Sequence, residues 1–307
     1  MTTPRRTGVT ALALSLCLGL GGCLAPTPSS PPTPSATQAA VDLALPGEAL
    51  KMVRELIAAA ANPRLIQVEI SAERAAISVV EDGKAATWAF RDGEIKQVDT
   101  DIAYVEQAIF NIEAFNINDV GGLFRAAAGM SGSRSSQELQ IVDYSDGQVM
   151  MTVSTVPESR TVFFNPDGSL LPILDFHTEG GIGVGLADAT GPLRTALVVG
   201  VQSNLGVYVE YPGSPTTTIR RLRTSQVPAT TNERAETPSL DSFDPTDVTS
   251  AAIYRALAAS QENRMVSTTL GWSVVIDRRD AGQPMMHFVA DGRQFVTDLQ
   301  GQLIPGR

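Results

Sequence analysis

Very few residues of the chain have the chemistry of a catalytic or metal site. Its only thiols are Cys17 and Cys23, and its only imidazoles are His177 and His287. A zinc site commonly needs three or four nitrogen, sulfur or oxygen ligands, and a serine hydrolase of the Gly-x-Ser-x-Gly type needs that elbow. Neither pattern occurs in the 307 residues. We therefore predict no catalytic residue, no metal site and no cofactor.

The two histidines have different surroundings in the sequence. His177 follows Asp175 and precedes Glu179, an order that a metal site or a hydrolase could use. A single histidine beside carboxylates at a strand end is more often a surface or capping residue. His287 stands in the apolar run 285–289, where a half-exposed structural histidine is the default. We expect both histidines to be structural.

Glycines at 181, 183 and 185 superficially resemble a nucleotide-binding loop. A dinucleotide site needs a following helix within a βαβ unit and an acidic residue further along the chain. Here Pro192 and a strand-like segment, 196–201, follow instead. The glycines predict a flexible interdomain loop that replaces a helix.

Arg220, Arg221 and Arg223 form the one basic cluster of the chain. The cluster could bind an anionic ligand such as a cell-wall polymer or a glycolipid. Alternatively, the strand simply alternates charged residues toward water, or the arginines pair with the acidic excess.

Cys23 directly follows a segment that has the features of an export signal. Arg5 and Arg6 precede an apolar run of about twelve residues, 9–20, which is too short to span a bilayer. Leu20, Gly21 and Gly22 then lead into Cys23. Small residues let the backbone enter a protease cleft, and cysteine supplies a nucleophilic sulfur.

This Leu-Gly-Gly-Cys segment resembles the lipobox of bacterial lipoproteins. The resemblance implies that residues 1–22 are a signal peptide, that diacylglycerol is attached to the thiol of Cys23, and that the freed amine can carry a further acyl chain such as palmitate. The alternatives are an ordinary secretory signal and a short membrane anchor. Sec export fits better than twin-arginine export, because the residues after Arg6 match the latter poorly.

Residues 23–44 are predicted to be the lipidated cysteine and a tether. Prolines alternate there with serine and threonine, at positions 26, 28, 31, 32 and 34. Such a segment cannot bury apolar surface, and at ~3.1 Å per residue it could hold the folded part about 60 Å from a membrane.

Charge and composition describe an acidic globular protein. The whole chain has 23 basic and 33 acidic residues. Arg5 and Arg6 are the only charged side chains before Cys23, so the chain from Cys23 onward has 21 basic residues (23 − 2) and a net charge of −12. Nucleic acid would repel such a protein. With 43% apolar and 18% charged residues the chain can bury a core.

The body contains an internal repeat. Residues 160–172 align without gaps to 293–305, with identical residues at the first, ninth, eleventh and thirteenth positions. Weaker matches join 115–120 to 243–248 and 77–79 to 207–209. We predict a tandem duplication of a unit of roughly 130 residues, spanning 45–175 and 176–307.

Each unit is predicted to contain helix-plus-meander modules. Helical periodicity covers 46–60, 119–129 and 247–259. Short strands follow, among them 65–70, 94–98 and 170–174, with Asp-Gly pairs as tight turns. This order predicts the α+β class with antiparallel sheets. The pattern is similar to small exported PepSY-like modules, without a diagnostic motif.

The leading functional hypothesis is a lipoprotein on the extracytoplasmic face of the cell membrane, acting as a non-enzymatic binding or interaction module. Its partners would be the membrane, through the lipid anchor, and an envelope protein, a glycolipid or a cell-wall polymer. The first alternative is a lipid or glycolipid carrier with an apolar cavity, a layout seen in mycobacterial lipid-carrier lipoproteins. An envelope hydrolase is the second alternative.

Overall fold

The computed structural model describes residues 41–100, 102–103, 106–155, 160–262, 271–279 and 282–305. The predicted signal peptide, Cys23 and the tether up to residue 40 lie outside the described residues. No helix in the described ranges is long and apolar enough to cross a membrane.

The first half of the body forms a seven-stranded antiparallel sheet with two helices. The strands lie in the order β4-β3-β2-β1-β5-β6-β7. In chain order the elements are α1 (Glu48–Ala60), β1 (Leu65–Ile70), β2 (Ala75–Glu81), β3 (Lys84–Arg91), β4 (Glu94–Val98), α2 (Val120–Ser131), β5 (Glu138–Ser145), β6 (Gln148–Ser154) and β7 (Val162–Phe164). A short 3₁₀ helix, Ile112–Ala114, precedes α2.

The second half repeats this arrangement with the strand order β11-β10-β9-β8-β12-β13-β14. Its elements are α3 (Glu179–Thr190), β8 (Val198–Gln202), β9 (Gly206–Ser214), β10 (Thr217–Thr224), β11 (Thr230–Arg234), α4 (Ser250–Glu262), β12 (Trp272–Asp277), β13 (Met285–Ala290) and β14 (Arg293–Thr297). A 3₁₀ helix, Pro245–Asp247, again precedes the later helix. The α+β class predicted from the sequence is confirmed.

Isolated β-bridges recur at equivalent places in the two halves. Phe164 pairs with Leu170, and Thr297 pairs with Leu303, both 133 residues further along, as the aligned segments predict. Leu65 pairs with Phe110, and Ala196 with Phe243. Residues at equivalent positions therefore form the same bridges in each half, which supports a duplicated unit.

Asp-Gly pairs form the tight turns between neighbouring strands. Both residues have positive φ in Asp82-Gly83, Asp92-Gly93 and Asp146-Gly147. Two consecutive positive φ angles define the type I′ turn, whose twist matches that of an antiparallel hairpin. The predicted role of these pairs as turns is confirmed.

Each sheet buries one face against its helices, and we call this the inner face and the opposite one the outer face. Val68, Ile77 and Ile141 on the inner face of the first sheet are fully buried in a cluster with Val53 and Leu56 of α1. In the second sheet the inner-face residues pack with α3 and α4. Alternation along each strand places the next residue on the outer face.

The segment predicted to be a glycine-rich loop is instead the helix α3. Thr178 caps the helix by accepting a hydrogen bond from the Gly181 amide at 3.1 Å. A β-carbon on Gly185 would lie 2.7 Å from Val207 Cγ2 and 2.8 Å from Phe176. Gly185 therefore allows α3 to approach β9 closely, and this packing outweighs its low helix propensity. The prediction of a loop was wrong.

A strand predicted at 170–174 is also absent. Only Leu170 forms a bridge there, with Phe164. The amide of Leu174 donates instead to the Ser225 carbonyl at 2.9 Å, at the end of β10. The chain thus leaves the first sheet after one bridge, close to the predicted boundary between the units.

Candidate functional site

The outer face of the first sheet carries a concentration of polar side chains. They come from β1, β2, β3 and β5, four adjacent strands of the sheet. The half-buried members are Gln67, Glu69, Thr87, Glu138 and Gln140. Ser78 is buried and its hydroxyl lies 2.9 Å from that of Thr87. Sheet alternation explains the arrangement, because every second residue of these strands faces away from the apolar core.

Two carboxylates of this face share one amide donor. The Gln140 Nε2 donates to Glu138 Oε1 at 3.1 Å and lies 3.4 Å from Glu69 Oε1. Glu69 Oε1 also accepts from Gln67 Nε2 at 2.7 Å. The register explains these contacts, because Glu69 lies directly opposite Gln140 on neighbouring strands. The carboxylates are thus held close together by neutral donors.

Two arginines lie at the other side of the same region. Ala75 pairs with Phe90, which places Arg74 and Arg91 beside one another just beyond that pair. Both arginines are exposed. Neither guanidinium makes an ion pair with another residue within the described ranges. Their charges are therefore available to a ligand.

The four charged residues surround one small cavity. A recess of about 60 Å³ is lined by Glu69, Arg74, Arg91 and Glu138. Its floor includes Ala76, which is 8% exposed. Negative and positive side chains therefore face a common space.

A larger groove of about 410 Å³ shares Glu69, Ala76 and Arg91 with the recess. Ser78 and Thr87 also line it. Its other wall comes from the chain after β4, through Asp99, Thr100 and Ile102. We call the recess and this groove together the outer-face groove. Because it is open to solvent and mostly polar, it suits a ligand rich in hydrogen-bonding groups.

The chain that forms this wall is anchored at its far end. The Ala108 amide donates to Asp143 Oδ2 at 2.9 Å, on β5. The Phe110 amide then donates to the Leu65 carbonyl at 3.0 Å, at the start of β1. This connection therefore returns from the β4 edge to the centre of the sheet.

The second sheet lacks the charges of the groove. Ile77 and Val207 occupy equivalent positions on β2 and β9, and the strand registers then match the remaining residues. The counterparts of Glu69, Arg74, Arg91 and Glu138 are Gln202, Asn204, Gln226 and Gly271. All four counterparts are uncharged, so the charged groove belongs to one half only.

The predicted arginine cluster does not form a continuous patch. Arg220 lies on the outer face, where its Nε donates to Glu210 at 2.7 Å and its guanidinium lies 4.4 Å from the centre of the Tyr208 ring. Arg221 and Arg223 lie on the inner face, and both donate to Asp188, Arg221 to its carbonyl and Arg223 to its carboxylate. Arg223 is 0% exposed. The prediction of one anionic-ligand patch fails because alternation along β10 separates its members.

The two histidines occupy separate elements. His177 is exposed before α3, with Nδ1 3.2 Å from Asp175 Oδ1. The His177 amide also donates to Asp175, which lowers the pKa of that carboxyl below its usual value. His287 lies on β13, with Nε2 3.8 Å from Asp277 Oδ1. Each histidine thus has one aspartate nearby.

Metal ligands do not cluster in the part of the chain that the structure describes. No group of three or more histidine, cysteine, aspartate or glutamate residues could hold an ion there. The charged residues of the outer-face groove were missed by sequence reasoning. They lie up to 69 positions apart and have no common motif, so only the sheet register brings them together.

Comparison with known proteins gives no family. No protein-family model and no curated protein matches the chain. Among solved structures, a chain described as the H. pylori Beta clamp in complex with 5-chloroisatin aligns with 10% identity and a TM-score of 0.15. The alignment covers 89% of this chain and 65% of that protein's length.

Proposed function

We propose that the chain is a lipid-tethered, non-enzymatic binding module on the extracytoplasmic face of the cell membrane. Its anchor would be Cys23, as the lipobox-like residues Leu20, Gly21 and Gly22 suggest. Its ligand would bind in the outer-face groove. The observation that carries the proposal is the set of two carboxylates and two arginines around one recess, in only one of two related sheets. Neither arginine is in an ion pair with a residue that the structure describes.

The chemistry of the groove favours a cell-wall polymer over a lipid chain. An acyl chain would cover the polar groups of Gln67, Glu69 and Ser78 without offering them hydrogen bonds, which is unfavourable. A polymer with hydroxyl, amide and charged groups can satisfy them. The carrier hypothesis has weaker support, because Val53 and Leu56 of α1 fill the inner face of the first sheet.

The anchor is tested by replacing Cys23 with serine. In cells given radiolabelled palmitate, we expect label in the wild-type protein and none in Cys23→Ser. The wild type should partition into detergent with the membrane fraction, whereas the variant should be released. An unlabelled wild-type protein would refute the tether.

The binding role is tested with insoluble cell-wall material from a Gram-positive and a Gram-negative bacterium. The full-length protein in detergent should sediment with at least one of these preparations. The double variant Glu69→Gln, Arg91→Gln should remain in the supernatant. Glu55→Gln with Arg64→Gln, two exposed sites outside the groove, serves as the charge-matched control. Equal sedimentation of all three proteins, or of none, would refute the proposal.

A further inference from the structure

We infer that the outer-face groove binds a zwitterionic peptide segment, with its ammonium group near Glu69 and Glu138 and its carboxylate near Arg74 and Arg91. This inference rests on the proposed function and names the ligand chemistry of the same groove. Free amines and carboxylates of this kind occur on the short peptides that cross-link cell-wall polymers.

The negative end of the recess is already arranged around a nitrogen donor. Gln140 Nε2 lies 3.1 Å from one carboxylate and 3.4 Å from the other. An ammonium group has three donors and a full charge, so it would make stronger hydrogen bonds with the same oxygens. Because a single nitrogen lies near both carboxylates, one ligand ammonium beside Gln140 can donate to Glu69 and Glu138 together.

The positive end offers two guanidinium groups on adjacent strands. Arg74 precedes β2, and Arg91 ends β3 opposite it. A guanidinium can hold a carboxylate through two parallel hydrogen bonds. Because neither group is in an ion pair with a described residue, a ligand carboxylate would not have to displace a protein carboxylate.

The spacing of the two ends suits a short peptide. Strands in a sheet lie about 4.8 Å apart, so the backbones of β2 and β5, two spacings apart, are separated by roughly 10 Å. The side chains of Arg74 beside β2 and Glu138 on β5 line the same recess, so their charged groups lie closer together than the two backbones. Two extended residues span about 7 Å. The spacing of the strands therefore suits a ligand as short as a dipeptide.

The floor between the two ends limits the ligand to small side chains. Ala76 contributes only a methyl group there, and it is buried. A peptide backbone with methyl side chains could lie against this floor, whereas large side chains would have to point to solvent. Alanine residues are thus the natural choice for a probe.

The test is isothermal titration of the full-length protein in detergent with L-alanyl-L-alanine. We expect one site per chain, since the second sheet lacks the charges. N-acetyl-alanyl-alanine, which has no ammonium, and alanyl-alanine amide, which has no terminal carboxylate, should each bind at least about tenfold more weakly.

Two variants assign the ends of the ligand. Glu138→Gln should weaken binding of alanyl-alanine and reduce its preference over the acetylated probe, with Glu69 retaining part of it. Arg91→Gln should instead reduce its preference over the amide, with Arg74 retaining part of it. Glu55→Gln and Arg64→Gln control for the loss of a charge outside the groove. Circular dichroism and melting temperatures of every variant control for folding.

Equal binding of the three probes, or binding of none, would overturn the inference. If the cell-wall sedimentation is still lost in the groove variant, the proposed function stands and only the ligand class is wrong. If, in addition, the wild type does not sediment with cell-wall material or the groove variant sediments equally well, both the proposed function and the ligand class are wrong.

Discussion

Arg223 on β10 is fully buried, and its Nε donates to Asp188 Oδ2 of α3 at 2.9 Å. Its other nitrogens donate to backbone carbonyls, at 3.0 Å to Pro172 and 2.8 Å to Val227, and also to Thr224. In the first sheet the equivalent position is held by Trp88, opposite Ile77 as Arg223 lies opposite Val207. The duplicated sheets thus differ by an aromatic residue in one core and an ion pair in the other.

Asp188→Ala should destabilise the protein strongly. The substitution leaves the buried guanidinium of Arg223 without its counter-charge, which typically costs about 3 kcal/mol. Chemical denaturation monitored by circular dichroism measures the loss. Glu55→Ala, an exposed site on α1, should change the free energy of unfolding by less than about 0.5 kcal/mol.

A double-mutant cycle then isolates the pair. Arg223→Met removes the buried charge, so the further replacement of Asp188 should cost less than it does in the wild type. We expect the coupling to be at least about 1 kcal/mol. Additive losses would show that the two side chains stabilise the fold independently.

Gly185→Ala tests the close approach of α3 to β9. The added methyl group would lie within 2.8 Å of Val207 and Phe176, so we expect a loss of about 1–3 kcal/mol. Gly180→Ala, in the same helix with open space around it, should instead stabilise the protein by up to about 1 kcal/mol. Thermal unfolding compares the two, and a stabilising Gly185→Ala would contradict the tight packing.

Much of the fold follows from local signals that the sequence carries. Strands β1 and β4 coincide with the predicted 65–70 and 94–98, because strong alternation and Asp-Gly turns fix both their extent and their register. The repeat at offset 133 predicts equivalent loop closures, which the bridges at Leu170 and Leu303 confirm.

Helix α3 could not be predicted from local propensity. Gly185 has low intrinsic helix preference, yet a β-carbon there would lie 2.7 Å from Val207 Cγ2 on β9. The requirement for glycine comes from a tertiary contact that a single sequence does not reveal. The same holds for the outer-face groove, where Glu69 and Glu138 meet only because β1 pairs with β5.

Glu113→Gln should reduce stability at neutral pH and have little effect in acid. Arg54 holds Glu113 through two hydrogen bonds, of 2.9 and 2.8 Å, and these lower the pKa of the carboxyl below its usual value. A lowered folded-state pKa gives stability that is present above the unfolded-state pKa and is lost as pH falls through the folded value.

Urea unfolding at pH 7 and below pH 3 measures this dependence. The wild type should unfold at higher urea than Glu113→Gln at pH 7, and the two midpoints should converge in acid. Glu55→Gln removes an exposed charge from α1 and serves as control. A difference that persists unchanged below pH 3 would rule out ionisation of Glu113 as its source.

Asp143→Ala should loosen the connection that walls the outer-face groove. The carboxylate accepts from the amides of Ala108, at 2.9 Å, and Gly147, at 3.1 and 3.2 Å. Hydrogen bonds to a charged group contribute about 1.5–3 kcal/mol, so we expect a loss of about 2 kcal/mol and faster hydrogen exchange at both amides. Asp143→Asn keeps one acceptor oxygen, so its free energy of unfolding and its exchange rates should lie between those of Asp143→Ala and the wild type. If exchange at Ala108 stays as slow in Asp143→Ala as in the wild type, the wall is held by the pairing of Phe110 with Leu65 rather than by this carboxylate.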